Sequence, residues 1–72
     1  MKKIVIAEDE PFMREELARI LERQGYEAYT LQTFDHTADE IIRQEPDLAL
    51  LDVNLPGRSG FDICREVRRE LN

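Results

Sequence analysis

The chain has 72 residues, 42% of them hydrophobic and 36% charged; that is one small domain or part of one, since a chain of this size hides only about 60% of its unfolded surface, and neither two complete domains nor a disordered segment fits. Ten basic residues against sixteen acidic ones leave a formal net charge of −6, which disfavours nucleic acid phosphates and suits cations or basic partners. The single cysteine, Cys64, excludes an internal disulfide and a Cys-rich zinc site, and no apolar run approaches the roughly 20 residues that cross a bilayer. The start of the chain places basic Lys2 and Lys3 before Ile4, Val5, Ile6 and Ala7, but Glu8, Asp9 and Glu10 follow at once. The apolar run is too short for the core of a signal peptide, so a cytoplasmic chain is expected.

Ile4, Val5, Ile6 and Ala7 form a continuous, β-branched run, the pattern of a strand buried on both faces. Pro11 then stands where a first helical residue belongs, with acidic neighbours that complement a helix N-terminus. Met13, Leu17, Ile20 and Leu21 make one apolar stripe, Arg23 falls in the last turn, and Gly25 sits at the position of a C′ glycine. Residues 26–31 mix aromatic, β-branched and polar side chains and predict a second, more exposed strand. Phe34, Ala38, Ile41 and Ile42 predict a second helix, capped by Thr33 or Asp35 and ended by Pro46, which pushes Glu45 out of the α region. Leu48, Ala49, Leu50 and Leu51 predict a third strand. Residues 52–60 contain Pro56, Gly57 and Gly60 and predict a loop, and Phe61, Cys64, Val67 and Leu71 predict one face of a third helix.

The order is βαβαβα, which implies an α/β fold with a parallel sheet and right-handed crossovers. In such sheets ligands bind at the carboxyl ends of the strands. The first strand delivers Glu8 and Asp9 there, and the third delivers Asp52. If these strands are neighbours, three carboxylates converge, and each pair repels by about 4 kcal/mol at 4 Å with an effective dielectric of 20. Either one group keeps its proton or a cation binds. A donor set of oxygens alone, without His or Cys, favours a hard ion, Mg²⁺ above Ca²⁺.

These residues carry a resemblance. The run from Ile4 through Ala7 into Glu8, Asp9 and Glu10, the Gln24-Gly25-Tyr26 helix end, the run from Pro46 to Gly57 with Asp52 at its centre, and Gly60-Phe61 together resemble the receiver domain of two-component response regulators, in order along the whole chain. The resemblance implies that Asp52 is the phosphoacceptor for a sensor histidine kinase, that Glu8 and Asp9 are the acidic pair that holds Mg²⁺, and that Asn54 completes the metal shell through its backbone carbonyl, with its side chain facing the site. Glu8 departs from the pattern, which has Asp more often at this position. The family's flavodoxin-like fold has five βα units in strand order 2-1-3-4-5, and three are present here. The resemblance therefore implies strand order 2-1-3 and a domain over residues 1–72 that is the N-terminal portion of a receiver. No residue is assignable to the Ser or Thr that ends the family's fourth strand or to the Lys that ends its fifth, so the switch that senses the phosphoryl group is not carried by these residues alone.

The third strand is then expected to leave an open apolar edge, and such edges pair with other chains. A homo-dimer or higher oligomer through that strand is expected, with no direct nucleic acid or membrane binding by this segment. The other function kept in view is a receiver-like binding and self-assembly fragment that takes no phosphoryl group. An aspartate-nucleophile phosphatase is disfavoured, because the general-acid Asp such enzymes place two residues after the nucleophile is Asn54 here. His36 reads as a surface residue, Cys64 as a small core residue, and Arg65, Arg68 and Arg69 as a solvated face paired with Glu66 and Glu70. Arg14, near the acidic cluster, reads as a surface side chain rather than one that steers a kinase or phosphate.

Overall fold

The computed structural model describes residues 1–71; the side chain of Leu71 and all of Asn72 lie outside that description, and with them the last member of the expected third-helix stripe. Three strands, β1 (Lys3–Ala7), β2 (Glu27–Thr30) and β3 (Leu48–Leu51), alternate with three helices, α1 (Pro11–Arg23), α2 (Thr37–Gln44) and α3 (Gly60–Leu71). All pairings are parallel and the strand order is β2-β1-β3, as the resemblance implied. The step from β1 to β2 and the step from β2 over β1 to β3 run in opposite directions. Right-handed connections therefore put α1 on one face of the sheet and α2 on the other, where α3 packs against it.

The two faces are filled unequally. Val5 and Ala7 point to the α2–α3 side and join Leu31, Ala38, Ile41, Leu55, Ile63 and Val67 in the core. The register aligns Val5 with Tyr29 and Ala49, and Ala7 with Leu51, so all three strand neighbours share that face. Ile4 and Ile6 point the other way, toward α1. That helix contributes no buried residue: the expected stripe of Met13, Leu17, Ile20 and Leu21 is there as a stripe, but Met13 is 50% and Ile20 49% exposed. One helix cannot roof three strands, and Leu48 of β3 is 54% exposed at the uncovered end of the same face.

The helix ends show why the boundaries fall where they do. Glu10 caps α1, its carboxylate accepting a hydrogen bond from the Met13 N–H at 2.6 Å, and Pro11 follows. At the other end Tyr26 N–H donates to Leu21 C=O and Gly25 N–H to Glu22 C=O, both at 3.1 Å, with Gly25 at φ 92°. This is the Schellman closure that the C′ glycine predicts. α2 starts later than expected: its N-cap is His36, which makes no side-chain cap bond, not Thr33 or Asp35. Phe34 lies before the helix and packs on the core from the connecting loop. Glu45, barred from the right-handed region by Pro46, turns left-handed at φ 48° and ends α2.

The third-helix stripe is rotated from its expected position. Phe61 is 66% exposed, Ile63 is buried, and Cys64 is half-buried beside Val67. The cause is Gly60, the first residue of α3, which is buried against the backbone at Asp52. Once that residue faces inward, positions three and seven later, Ile63 and Val67, must face inward too. The arginines of α3 are solvated as expected, with different partners: Arg65 reaches Asp62 at 3.4 Å, and Glu66 is taken by Arg58 at 2.7 Å. Among the described residues no helix is long and apolar enough to cross a membrane.

Candidate metal and phosphoacceptor site

The parallel ladder assembles the acidic cluster. Ala7 pairs with Leu51, and the next rung is a hydrogen bond from Asp52 N–H to Ala7 C=O at 3.0 Å. The residues just past the two strand ends, Glu8–Asp9 and Asp52, are thereby brought side by side. One carboxylate oxygen from each of Glu8, Asp9 and Asp52 lies within 4.8 Å of the other two. Asp9 is exposed and the other two are half-buried. Glu10, the third acidic residue of the run, is not part of the cluster, because its carboxylate is committed to capping α1.

Local hydrogen bonds hold two of the three in place. The Glu8 carboxylate accepts from Glu10 N–H at 3.0 Å, curling its longer side chain back over its own loop. Asp52 Oδ1 accepts from Asn54 N–H at 3.1 Å, a turn in which an Asp side chain binds the backbone two residues on. Both bonds fix the direction in which their carboxylates point.

The loop that carries Asp52 and Asn54 is closed and anchored. Asn54 and Ser59 form an isolated antiparallel bridge, Gly60 N–H donates to Val53 C=O at 2.8 Å, and Leu55 is buried in the core at 7% exposure. Gly57 makes the turn at φ 81°. Ser59 caps α3, its hydroxyl oxygen accepting from Asp62 N–H at 3.2 Å. The Ser-x-x-Asp spacing of residues 59–62 is the sequence signal for that cap. Asn54 lines an open cleft with Asp9, Val53, Pro56, Gly57 and Ser59, so the mouth of the cluster faces solvent.

Two residues outside the predicted set take part. Leu55 pins the loop. Arg14 is not the surface side chain expected: it is half-buried, and its Nη1 donates to the carbonyls of Glu8 and Leu31, both at 3.4 Å. His36 is an exposed residue at the start of α2, as expected.

The family model of the response regulator receiver domain matches residues 4–72. The chain belongs to that family. Among solved structures it resembles the response regulator TrrA of Thermotoga maritima in complex with Mg²⁺-BeF, with a TM-score of 0.88 and 34% identity over 97% of this chain and 61% of that one. It also resembles TrrA in complex with the histidine kinase ThkA, with a TM-score of 0.79 and 34% identity over 97% of this chain and 60% of that one. The receiver segment described here thus spans about three-fifths of the length of these relatives. Its sheet is the 2-1-3 part of the flavodoxin-like receiver fold.

Proposed function

We propose that this chain carries the phosphoacceptor of a two-component signalling protein. Asp52 takes a phosphoryl group from a sensor histidine kinase, and Glu8, Asp9, Asp52 and the Asn54 carbonyl hold Mg²⁺. The observation that carries this reading is the meeting of three carboxylate oxygens from two strand ends within 4.8 Å. A cluster of hard oxygen donors suits Mg²⁺, and the mutual repulsion of three carboxylates gives the site a reason to bind it. When bound, the ion supplies the positive charge that lets a phosphate approach an anionic pocket.

The residues of the chain do the rest by alignment, which is most of what phosphoryl transfer asks of a protein. With Asp52 Oδ1 engaged by the Asn54 N–H, Oδ2 is left for the attack. Its O–P bond forms as the P–N bond of the phosphohistidine breaks, the electron pair returns to the imidazole, and the imidazole takes a proton. The product is an acyl phosphate on Asp52, so the chain is a stoichiometric acceptor and not a turnover enzyme. The TrrA–ThkA complex and the Mg²⁺-BeF complex of TrrA support a kinase partner and Mg²⁺ for this chain. In this reading residues 1–72 are the N-terminal portion of a receiver domain that works in the cytoplasm.

The test is incubation with Mg²⁺ and acetyl phosphate, read by intact mass and peptide mapping. One phosphoryl group on Asp52, lost in Asp52→Asn and with EDTA, is the expected result; no mass gain in a folded sample overturns the reading. A second reading, a receiver-like assembly module, is favoured by the outer edge of β3, where Leu48 is 54% exposed. Pairing of that edge with a second copy predicts a dimer or larger species by sedimentation, and a monomer at high concentration rejects it.

A further inference from the structure

We infer that Arg14 is a positioning residue for the acidic cluster, a staple between the ends of β1 and β2 that holds the Glu8–Asp9 backbone in its metal-ready place. The inference rests on the reading of Glu8, Asp9 and Asp52 as a Mg²⁺ site. Arg14 lies in the first turns of α1, where its own N–H bonds to Glu10 C=O at 2.9 Å. Side chains on a helix lean toward its N-terminus, so the guanidinium is carried back under the β1–α1 loop. There Nη1 meets the carbonyls of Glu8 and Leu31, each at 3.4 Å. Glu8 is the first residue past β1 and Leu31 the first past β2, and Leu31 N–H in turn bonds Ile6 C=O at 3.1 Å.

Three features separate this side chain from an ordinary surface arginine. Its partners are backbone carbonyls from two different strand ends, and no carboxylate is among its hydrogen-bond partners in the described residues. Its Nε is buried with no partner, a costly state for a charged donor. And a cation beside a cation site is an electrostatic disadvantage that a role in shape must outweigh. Both carbonyls are met by Nη1, whose two N–H groups are held in the guanidinium plane, a fixed direction that a freely rotating ammonium lacks. Groups that hold metal ligands in place from behind typically govern affinity by about 10–100-fold when removed.

The experiment titrates Mg²⁺ alone into the wild-type chain, Arg14→Lys and Arg14→Met, following backbone amide shifts by NMR, with circular dichroism to confirm folding. Loss of the staple weakens Mg²⁺ binding about tenfold or more in both variants, the charge-conserving lysine included. If Arg14 acted through charge alone, Arg14→Met would bind Mg²⁺ more tightly and Arg14→Lys would match the wild type; that pattern, or no change in either, overturns the inference. Amide hydrogen exchange without metal reads the staple independently. It rises at residues 8–10 in both variants while Asp52 N–H, held by Ala7 in β1, is unchanged, and equal exchange in all three proteins also overturns it. A wild-type chain that binds no Mg²⁺ defeats the proposed function instead, and the exchange measurement still decides on Arg14.

Discussion

Replacing Gly60 by alanine tests whether the start of α3 sets the position of Asp52. A Cβ at Gly60 would lie 2.9 Å from the Asp52 carbonyl carbon and 3.1 Å from Val53 Cα, and closer still to the Asp52 carbonyl oxygen. All three are backbone atoms, so no side chain can swing aside. Relief requires the Asp52–Val53 peptide and the first turn of α3 to separate by roughly an ångström, which also stretches the 2.8 Å bond from Gly60 N–H to Val53 C=O. Overpacking of this kind costs about 1–3 kcal/mol and the weakened hydrogen bond about 1. The better helix propensity of alanine and its stiffer unfolded chain return up to about 1 kcal/mol. The net loss is about 1–3 kcal/mol, and at about 4–8 °C per kcal/mol for a domain of this size the melting midpoint falls by roughly 5–20 °C. Gly57→Ala is the control. Nothing lies within 4 Å of its Cβ position, so only its φ of 81° is penalised, at about 1–2 kcal/mol. Thermal melts followed by circular dichroism, with a Mg²⁺ titration on the same samples, give the result. Gly60→Ala loses Mg²⁺ affinity as well as stability, whereas Gly57→Ala loses stability and keeps its Mg²⁺ affinity. A Gly60→Ala chain that melts like the wild type and binds Mg²⁺ equally well would refute the reasoning.

Two further outcomes are expected. Ile63→Ala lowers stability by about 2–5 kcal/mol, because Ile63 is 2% exposed, whereas Phe61→Ala, at 66% exposure, changes it by less than about 0.5 kcal/mol; denaturant unfolding of both checks the orientation of α3, and the reverse ranking contradicts it. The Tyr29 hydroxyl donates to Glu40 at 3.1 Å, and that bond together with the adjacent carboxylate charge raises its pKa above the usual phenol range. The folded state therefore holds this proton longer than the unfolded one. The stabilisation is complete below the ordinary phenol pKa and is lost as pH rises through the higher folded value. Phenolate absorbance of folded wild type lags behind that of Glu40→Gln in alkaline titration, and coincident curves would count against the Tyr29–Glu40 bond.

The alternation of patterns along the chain was enough to define the architecture. A continuous β-branched run marked β1 because a central parallel strand is covered on both faces, the apolar run of Leu48 to Leu51 marked β3, which is here a half-buried edge strand, and Pro11, Gly25 and Pro46 marked helix boundaries through backbone geometry that any environment enforces. The acidic residues of the candidate site were also legible, because an α/β crossover leaves its chemistry at strand ends and only Glu8, Asp9 and Asp52 stood there. The turning of helices about their own axes was not. Periodicity pointed Phe61 at the core, and Ile63 faces it instead because of the contact of Gly60 with the Asp52 backbone, a neighbour eight residues away. Glu10 was readable as an acidic neighbour of the α1 N-terminus, and its carboxylate caps that helix. The place of Arg14 was not readable: it looks solvated until β2 lays the Leu31 carbonyl beside that of Glu8. Local sequence determines which elements form and where they stop, since propensity and capping act within a few residues. Which side chains share a site depends on distances between elements, and those exist only once the sheet has assembled.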